Sequence, residues 1–133
     1  MPQDDISARP WLLGTDMRAF SDTYLGASMK PALLVIDIQK AWLDETPELK
    51  ESVDKRIDVM NGAIKWFREK NLPLIVIYHE AKDRGVLPGT PGFEFIPAVQ
   101  IRHDDTKVTK TYPNSFNKTG LDSMLRKLGC DAV

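Results

Sequence analysis

Pro31-Ala-Leu-Leu-Val-Ile-Asp37 is an unbroken apolar run that ends in an acid. A strand buried on both faces of a parallel sheet has this composition, whereas a strand with one wet face alternates. Leu72-Pro-Leu-Ile-Val-Ile-Tyr78 repeats the pattern further along. Between the two runs, Thr46-Pro47 is a helix start, with threonine as N-cap and proline at the first helical position. Leu49, Val53, Ile57, Met60, Ile64 and Phe67 follow at steps of three or four, which places them on one face of a helix. Gly62 weakens that helix locally without breaking its pattern. Strand, long helix and strand in this order predict parallel neighbours joined by a right-handed crossover.

Outward from this unit the pattern continues. Gly85 to Gly92 is a loop by composition, and a short helical turn is expected around Phe95 to Val99. Thr106 to Lys110 is β-branched enough for a third strand. Leu121, Met124, Leu125 and Leu128 mark one face of another helix, closed by Gly129, and Asp131 to Val133 opens a fourth strand. The expected fold is α/β, a three-layer Rossmann-like parallel sheet over residues 29–133. Residues 1–28 mix Pro, Gly, Asp and Ser with Trp11, Phe20 and Tyr24 and show no sustained period. They read as an N-terminal extension that packs on the surface or on a partner, and Met29 is an alternative start.

Composition narrows the function classes. The chain has 133 residues, 42% hydrophobic and 28% charged, with a net charge of −1. That is the balance of one globular domain, without the basic footprint of a nucleic-acid binder. One cysteine, Cys130, cannot form an internal disulfide. The longest apolar runs are too short to span a bilayer, and residues 1–10 lack the apolar stretch of a signal peptide. A cytoplasmic location is expected, with no membrane and no nucleic acid among the partners.

In open parallel sheets ligands bind beyond the carboxyl ends of the strands. Asp37 ends the first strand, His79 follows the second and Lys110 ends the third, so three ionisable residues should share one rim. Singly, each has a plainer reading: a turn or cap for the aspartate, a surface group for the histidine, a solvated charge for the lysine. A phosphoacceptor receiver also pairs a strand-end Asp with a strand-end Lys. It needs an acidic pair after the first strand and an Asp after the third, but Ile36 precedes Asp37 and no acid ends TKVTK.

PALLVIDIQKAW at 31–42, GVLPGTPGFEF at 85–95 and TKVTKTYPNSFNKTGLDSMLRKLG at 106–129 resemble three successive signatures of the isochorismatase-like cysteine hydrolases. The likeness runs from Lys30 to Val133. K-x5-F followed by T-x-L and a helix ending in Gly is its most specific part. The resemblance implies an Asp–Lys–Cys catalytic set acting on an amide or vinyl-ether bond of a small molecule, without a cofactor. Asp37 would take the thiol proton and later activate water, and Lys110 would stand beside it and favour the thiolate. The family's cysteine lies several residues beyond the glycine that matches Gly129. The resemblance therefore puts it past Val133, in a domain that is incomplete at its C-terminus. Cys130 follows that glycine at once and should lie a strand's length from the rim.

For substrate binding the resemblance points to Trp42, His79 and Arg84. Trp42 either lines the pocket or packs in the core between the first connection and the second strand. Arg84 either holds a substrate carboxylate through its fork of donors or faces solvent. His79 falls at a position that differs between subfamilies. Nicotinamidases of the superfamily bind a divalent ion through an Asp-x-His pair and a further His after the first strand. No histidine occurs between Asp37 and Lys70, and His103 has no ligand spacing to His79, so no metal is expected. In the family sheet the fourth strand lies beside the first, and without it the Leu33–Ile36 edge should lead to a homo-oligomer, to aggregation, or to cover by residues 1–28. The alternative function is a catalytically inactive fragment that only binds or oligomerises.

Overall fold

In a computed structural model, which describes residues 29–133, three parallel strands form one sheet in the order β1-β2-β3. β1 is Leu33–Ile36, β2 is Leu74–His79 and β3 is Thr106–Lys110. Leu33 pairs with Leu74 and Ile36 with Ile77, while Ile75 pairs with Thr106 and His79 with Lys110. The two apolar runs thus form adjacent parallel strands, as their composition requires. The expectations for residues 1–28 lie outside the described residues.

Among the described residues four α-helices accompany the sheet: α1 Lys40–Leu43, α2 Pro47–Asp54, α3 Ile57–Glu69 and α4 Leu121–Lys127. Thr46 caps α2, its hydroxyl accepting from the Leu49 amide at 3.1 Å. The single helix expected from Leu49 to Phe67 is in fact two. The Arg56 amide bonds to the Val53 carbonyl three residues back, at 2.8 Å, and the chain tightens and turns at Lys55–Arg56. The apolar period survives that break, but only Val53 of α2 is buried and Leu49 is exposed, so α2 has little reason to continue the axis of α3. The helical turn expected at Phe95–Val99 also lies elsewhere. A 3₁₀ turn occupies Pro91–Phe93, with proline at its start, and Ile96–Val99 is a turn closed by a 3.2 Å hydrogen bond.

The core has two halves, one on each face of the sheet. Val35, Val76 and Tyr78 pack with Ile64 of α3 and with Val86, Phe93, Phe95 and Val99 of the long loop. Ala32, Ile75, Ile77 and Val108 pack with Leu121 and Leu125 of α4. Alternate side chains of β2 feed both halves, so the doubly buried strand produces three layers. α4 ends at Gly129 (φ 71°), with the Cys130 amide on the Leu125 carbonyl and the Gly129 amide on the Arg126 carbonyl, a Schellman closure. The chain then meets the outer side of β1, where the Ala32 amide donates to the Ala132 carbonyl at 2.9 Å in a parallel bridge. Asp131–Val133 therefore lies beside the segment that leads into β1, held there by a single parallel bridge. Among the described residues no helix is long and apolar enough to cross a membrane.

Candidate functional site

Asp37 stands just past β1 in the left-handed region, at φ 60°. Its amide still donates to the Ile77 carbonyl at 3.0 Å, so the chain leaves the sheet at this residue. Aspartate is one of the few residues with a side chain that tolerate this conformation. Lys110, the last residue of β3, is 3% exposed, and its Nζ lies 3.0 Å from Asp37 Oδ2. Nζ also donates to the Pro113 carbonyl at 2.7 Å. An ammonium has three donors, so one is left. Asp37 Oδ1 is buried and has no hydrogen-bond partner among the described residues. The pair presents one free acceptor beside one free donor at the carboxyl rim.

A second group of side chains forms an open cleft of about 650 Å³ beside that pair, lined by Trp42, His79, Glu80, Lys82, Arg84 and Thr111 among others. Trp42 and His79 rings are 5.5 Å apart at 42°. The Arg84 guanidinium lies 4.7 Å over the Trp42 ring and pairs with Glu45. Trp42 is half-buried, packing on the core on one side and lining the cleft on the other. Arg84 is exposed yet held in place by two partners. Asp37 and Lys110 do not line the cleft. They adjoin it through Thr111, through Pro113, which is also in its wall, and through His79, the register partner of Lys110.

Sequence reasoning did not single out Gln39, Glu45 or Pro113. Gln39 is fully buried and hydrogen-bonded to both His79 and Trp42. Its signal was a neutral amide between the charged Asp37 and Lys40 in the D-I-Q motif. Glu45 and the Pro113 carbonyl reach the site only through folding, and no local pattern marks them.

Cys130 is far from this rim. Ala132 sits beside Pro31, six residues before Asp37 along the same strand direction. At about 3.3 Å per residue that is roughly 20 Å. Burial pushes the Cys130 thiol above its usual range, the opposite of an activated nucleophile, although Lys30 pulls it down.

An open parallel sheet with helices on both faces, and a charged pair and a cleft at its carboxyl rim, defines an α/β domain of the three-layer type. The chain belongs to the isochorismatase family: residues 31–133 match the isochorismatase domain. Among solved structures it is similar to an isochorismatase-family protein from Chromobacterium violaceum, at 32% identity and TM-score 0.59, over 75% of this chain and 52% of that one. The N-carbamoylsarcosine amidase from Thermoplasma acidophilum is 28% identical with TM-score 0.60, over 77% and 64%. The pyrazinamidase of Pyrococcus horikoshii, solved with zinc, is 26% identical with TM-score 0.61, over 78% and 70%. No curated protein matches the chain significantly. The chain thus spans between 52% and 70% of the length of these solved relatives.

The zinc in the pyrazinamidase invites a fit test. Among the described residues no three His, Cys, Asp or Glu side chains converge as ligands. At the rim His79 lies tilted against Trp42, with the cations Lys82 and Arg84 lining the same cleft. That donor set does not fit a zinc ion.

Proposed function

We propose that this chain supplies the acid–base half of a cysteine hydrolase acting on an amide or vinyl-ether bond of a small molecule. The observation that carries the reading is the Asp37–Lys110 pair, with its free carboxylate oxygen and its one spare ammonium donor. A thiol placed against Asp37 Oδ1 would lose its proton to the carboxylate, and the thiolate would be stabilised by Lys110. With an amide, the thiolate would add to the carbonyl carbon, and as the C–N bond breaks protonated Asp37 would give its proton to the leaving amine. The carboxylate would then take a proton from the water that hydrolyses the thioester and return it to the departing thiolate. Trp42, His79 and Arg84 would hold the substrate, the guanidinium serving a carboxylate if one is present.

The nucleophile in this reading is a cysteine other than Cys130, on a strand that would continue from Asp131–Val133. The test joins residues 1–133 to the part of the Chromobacterium violaceum relative that follows the matched region. Turnover is then measured on isochorismate and a panel of carbamoyl and aromatic amides. The joined protein should be active and should stay active as Cys130→Ser. Residues 1–133 alone should be inactive. Turnover by residues 1–133 that Cys130→Ser abolishes would make Cys130 the nucleophile and overturn the reading.

Self-association belongs to the same reading. By alternation along β1, Leu34 and Ile36 turn their amides and carbonyls away from β2, and among the described residues only Ala132 bridges that side. Ile36 is 37% exposed. Such an edge templates pairing, so residues 1–133 should sediment as oligomers, and Ile36→Lys should shift them toward monomer. A monomer at all concentrations would remove this part of the proposal.

A further inference from the structure

Where β1 stops, a side chain replaces the missing backbone. His79, the last residue of β2, turns its amide and carbonyl toward β1, because the Glu80 amide is already bonded to Lys110 on the other side. The β1 chain leaves at Asp37, so no backbone is available to pair with His79. The Gln39 amide takes that place: the His79 amide donates to Oε1 at 2.7 Å, and Nε2 donates to the His79 carbonyl at 3.1 Å. This is the two-bond pairing of one peptide with another, made by a glutamine side chain.

The second lone pair of Oε1 is used as well. It accepts the indole Nε1–H of Trp42 at 3.0 Å. Gln39 is also the residue from which α1 starts, its carbonyl accepting the Trp42 and Leu43 amides at 3.2 and 3.3 Å. Trp42 is therefore held by Gln39 through both backbone and ring, and His79 through both of its backbone groups. The amide is 0% exposed, so water cannot replace any of these bonds. The backbone on either side is fixed too, with the Lys40 amide on the Glu94 carbonyl and the Ile96 amide on the Ile38 carbonyl.

We propose that Gln39 is a positioning residue that sets the spacing and tilt of Trp42 and His79, and through Trp42 the seat of Arg84. This rests on reading their cleft as the substrate site. Gln39 itself does not line that cleft and makes no contact with the ion pair that the structure records.

The test uses residues 1–133 and nuclear magnetic resonance, with the Trp42 indole N–H assigned by its loss in Trp42→Phe. In the unaltered protein the Trp42 indole N–H and the His79 amide should both be protected from hydrogen exchange. Gln39→Met keeps the volume and removes the amide. It should move the Trp42 indole resonance toward that of an exposed indole and speed His79 exchange by about tenfold, the loss of one hydrogen bond. Trp42→Phe should leave His79 protection unchanged, since it removes only one donor. A folded Gln39→Met protein with both signals unaltered overturns the proposal. If that variant does not fold, the unaltered protein decides: an unprotected Trp42 indole overturns it and a protected one supports it. None of these signals depends on turnover. Inactivity of the joined enzyme would therefore sink the hydrolase reading while leaving the Gln39 result standing.

Discussion

Asp37→Asn should lower turnover of the joined protein by about 10²–10⁴-fold, the usual contribution of a positioned proton-transfer group. Asparagine is a clean probe here. It tolerates the left-handed conformation that Asp37 adopts, so the substitution changes charge and basicity without forcing the backbone. The same change should destabilise the fold by about 2 kcal/mol. Lys110 is 3% exposed and would lose its counter-charge, and removing one partner of a fully buried pair costs roughly 3–5 kcal/mol. Asp37 is 33% exposed, and an asparagine oxygen can still accept from Nζ, so the lower figure applies. Lys110→Met should cost less stability than Asp37→Asn, because the half-buried carboxylate it leaves behind can turn to water. Both should lower turnover by about 10²–10⁴-fold. Urea unfolding of the two variants reads the stability order, and steady-state kinetics of the joined protein reads the rate. Full activity in Asp37→Asn would show that this carboxylate carries no proton in the reaction.

The largest stability effect away from the rim should come from Asp105. Arg68, in the last turn of α3, donates to both of its carboxylate oxygens, at 2.6 and 2.7 Å. The Arg102 amide donates to the same group at 2.5 Å, and the Arg68 guanidinium also reaches the Gln100 carbonyl at 3.2 Å. Asp105 is 6% exposed and directly precedes β3, so this fork fixes where the strand carrying Lys110 begins. Asp105→Ala should cost about 3 kcal/mol, the lower end of the range for breaking a buried pair. Replacing both partners with apolar residues, Arg68→Met with Asp105→Leu, should be less harmful than the single change.

The pH dependence has a definite sign. Burial acts to raise the Asp105 carboxyl, but the hydrogen bonds from Arg68 and the Arg102 amide, with the charges of Arg68 and Lys107, outweigh it and hold it below its usual range. A folded-state value below the unfolded one means that the contribution is complete above the unfolded aspartate value of about 4. It is lost as pH falls through the folded value. The stability gap between the unaltered protein and Asp105→Asn should therefore narrow as urea unfolding is repeated from about pH 6 to about pH 3. A gap that widens on acidification would contradict the assignment.

Much of the fold was legible because its causes are local. An uninterrupted run such as Leu33–Ile36, bounded by Pro31 and Asp37 and too short for a helix, favours a strand of a parallel sheet, and Thr46-Pro47 caps a helix by its own chemistry. Gly129 ends α4 for the same kind of reason, since the left-handed turn there suits a residue without a side chain. Even the meeting of Asp37 and Lys110 follows from strand ends that must share a rim once the strands are parallel. The hydrolase reading drew further on the family likeness of the three motifs.

Other features were decided only when distant segments met. The pattern from Leu49 to Phe67 keeps its period across Lys55–Arg56, and periodicity does not register a break that preserves it. The loop over residues 81–101 settled its turn at Pro91–Phe93, where Gly92 comes close to Ala41 and a Cβ would lie 3.1 Å from that side chain. How Trp42 meets His79 depends on Gln39, whose two-sided bond to His79 exists only because β1 departs one peptide too soon. Arg84 found Glu45 and the Trp42 ring, partners thirty-nine and forty-two residues away. A sequence fixes which groups are apolar, charged or flexible within a few residues. The spacing between side chains on separate strands and loops is set by how the whole sheet packs, and that is where the site acquires its shape.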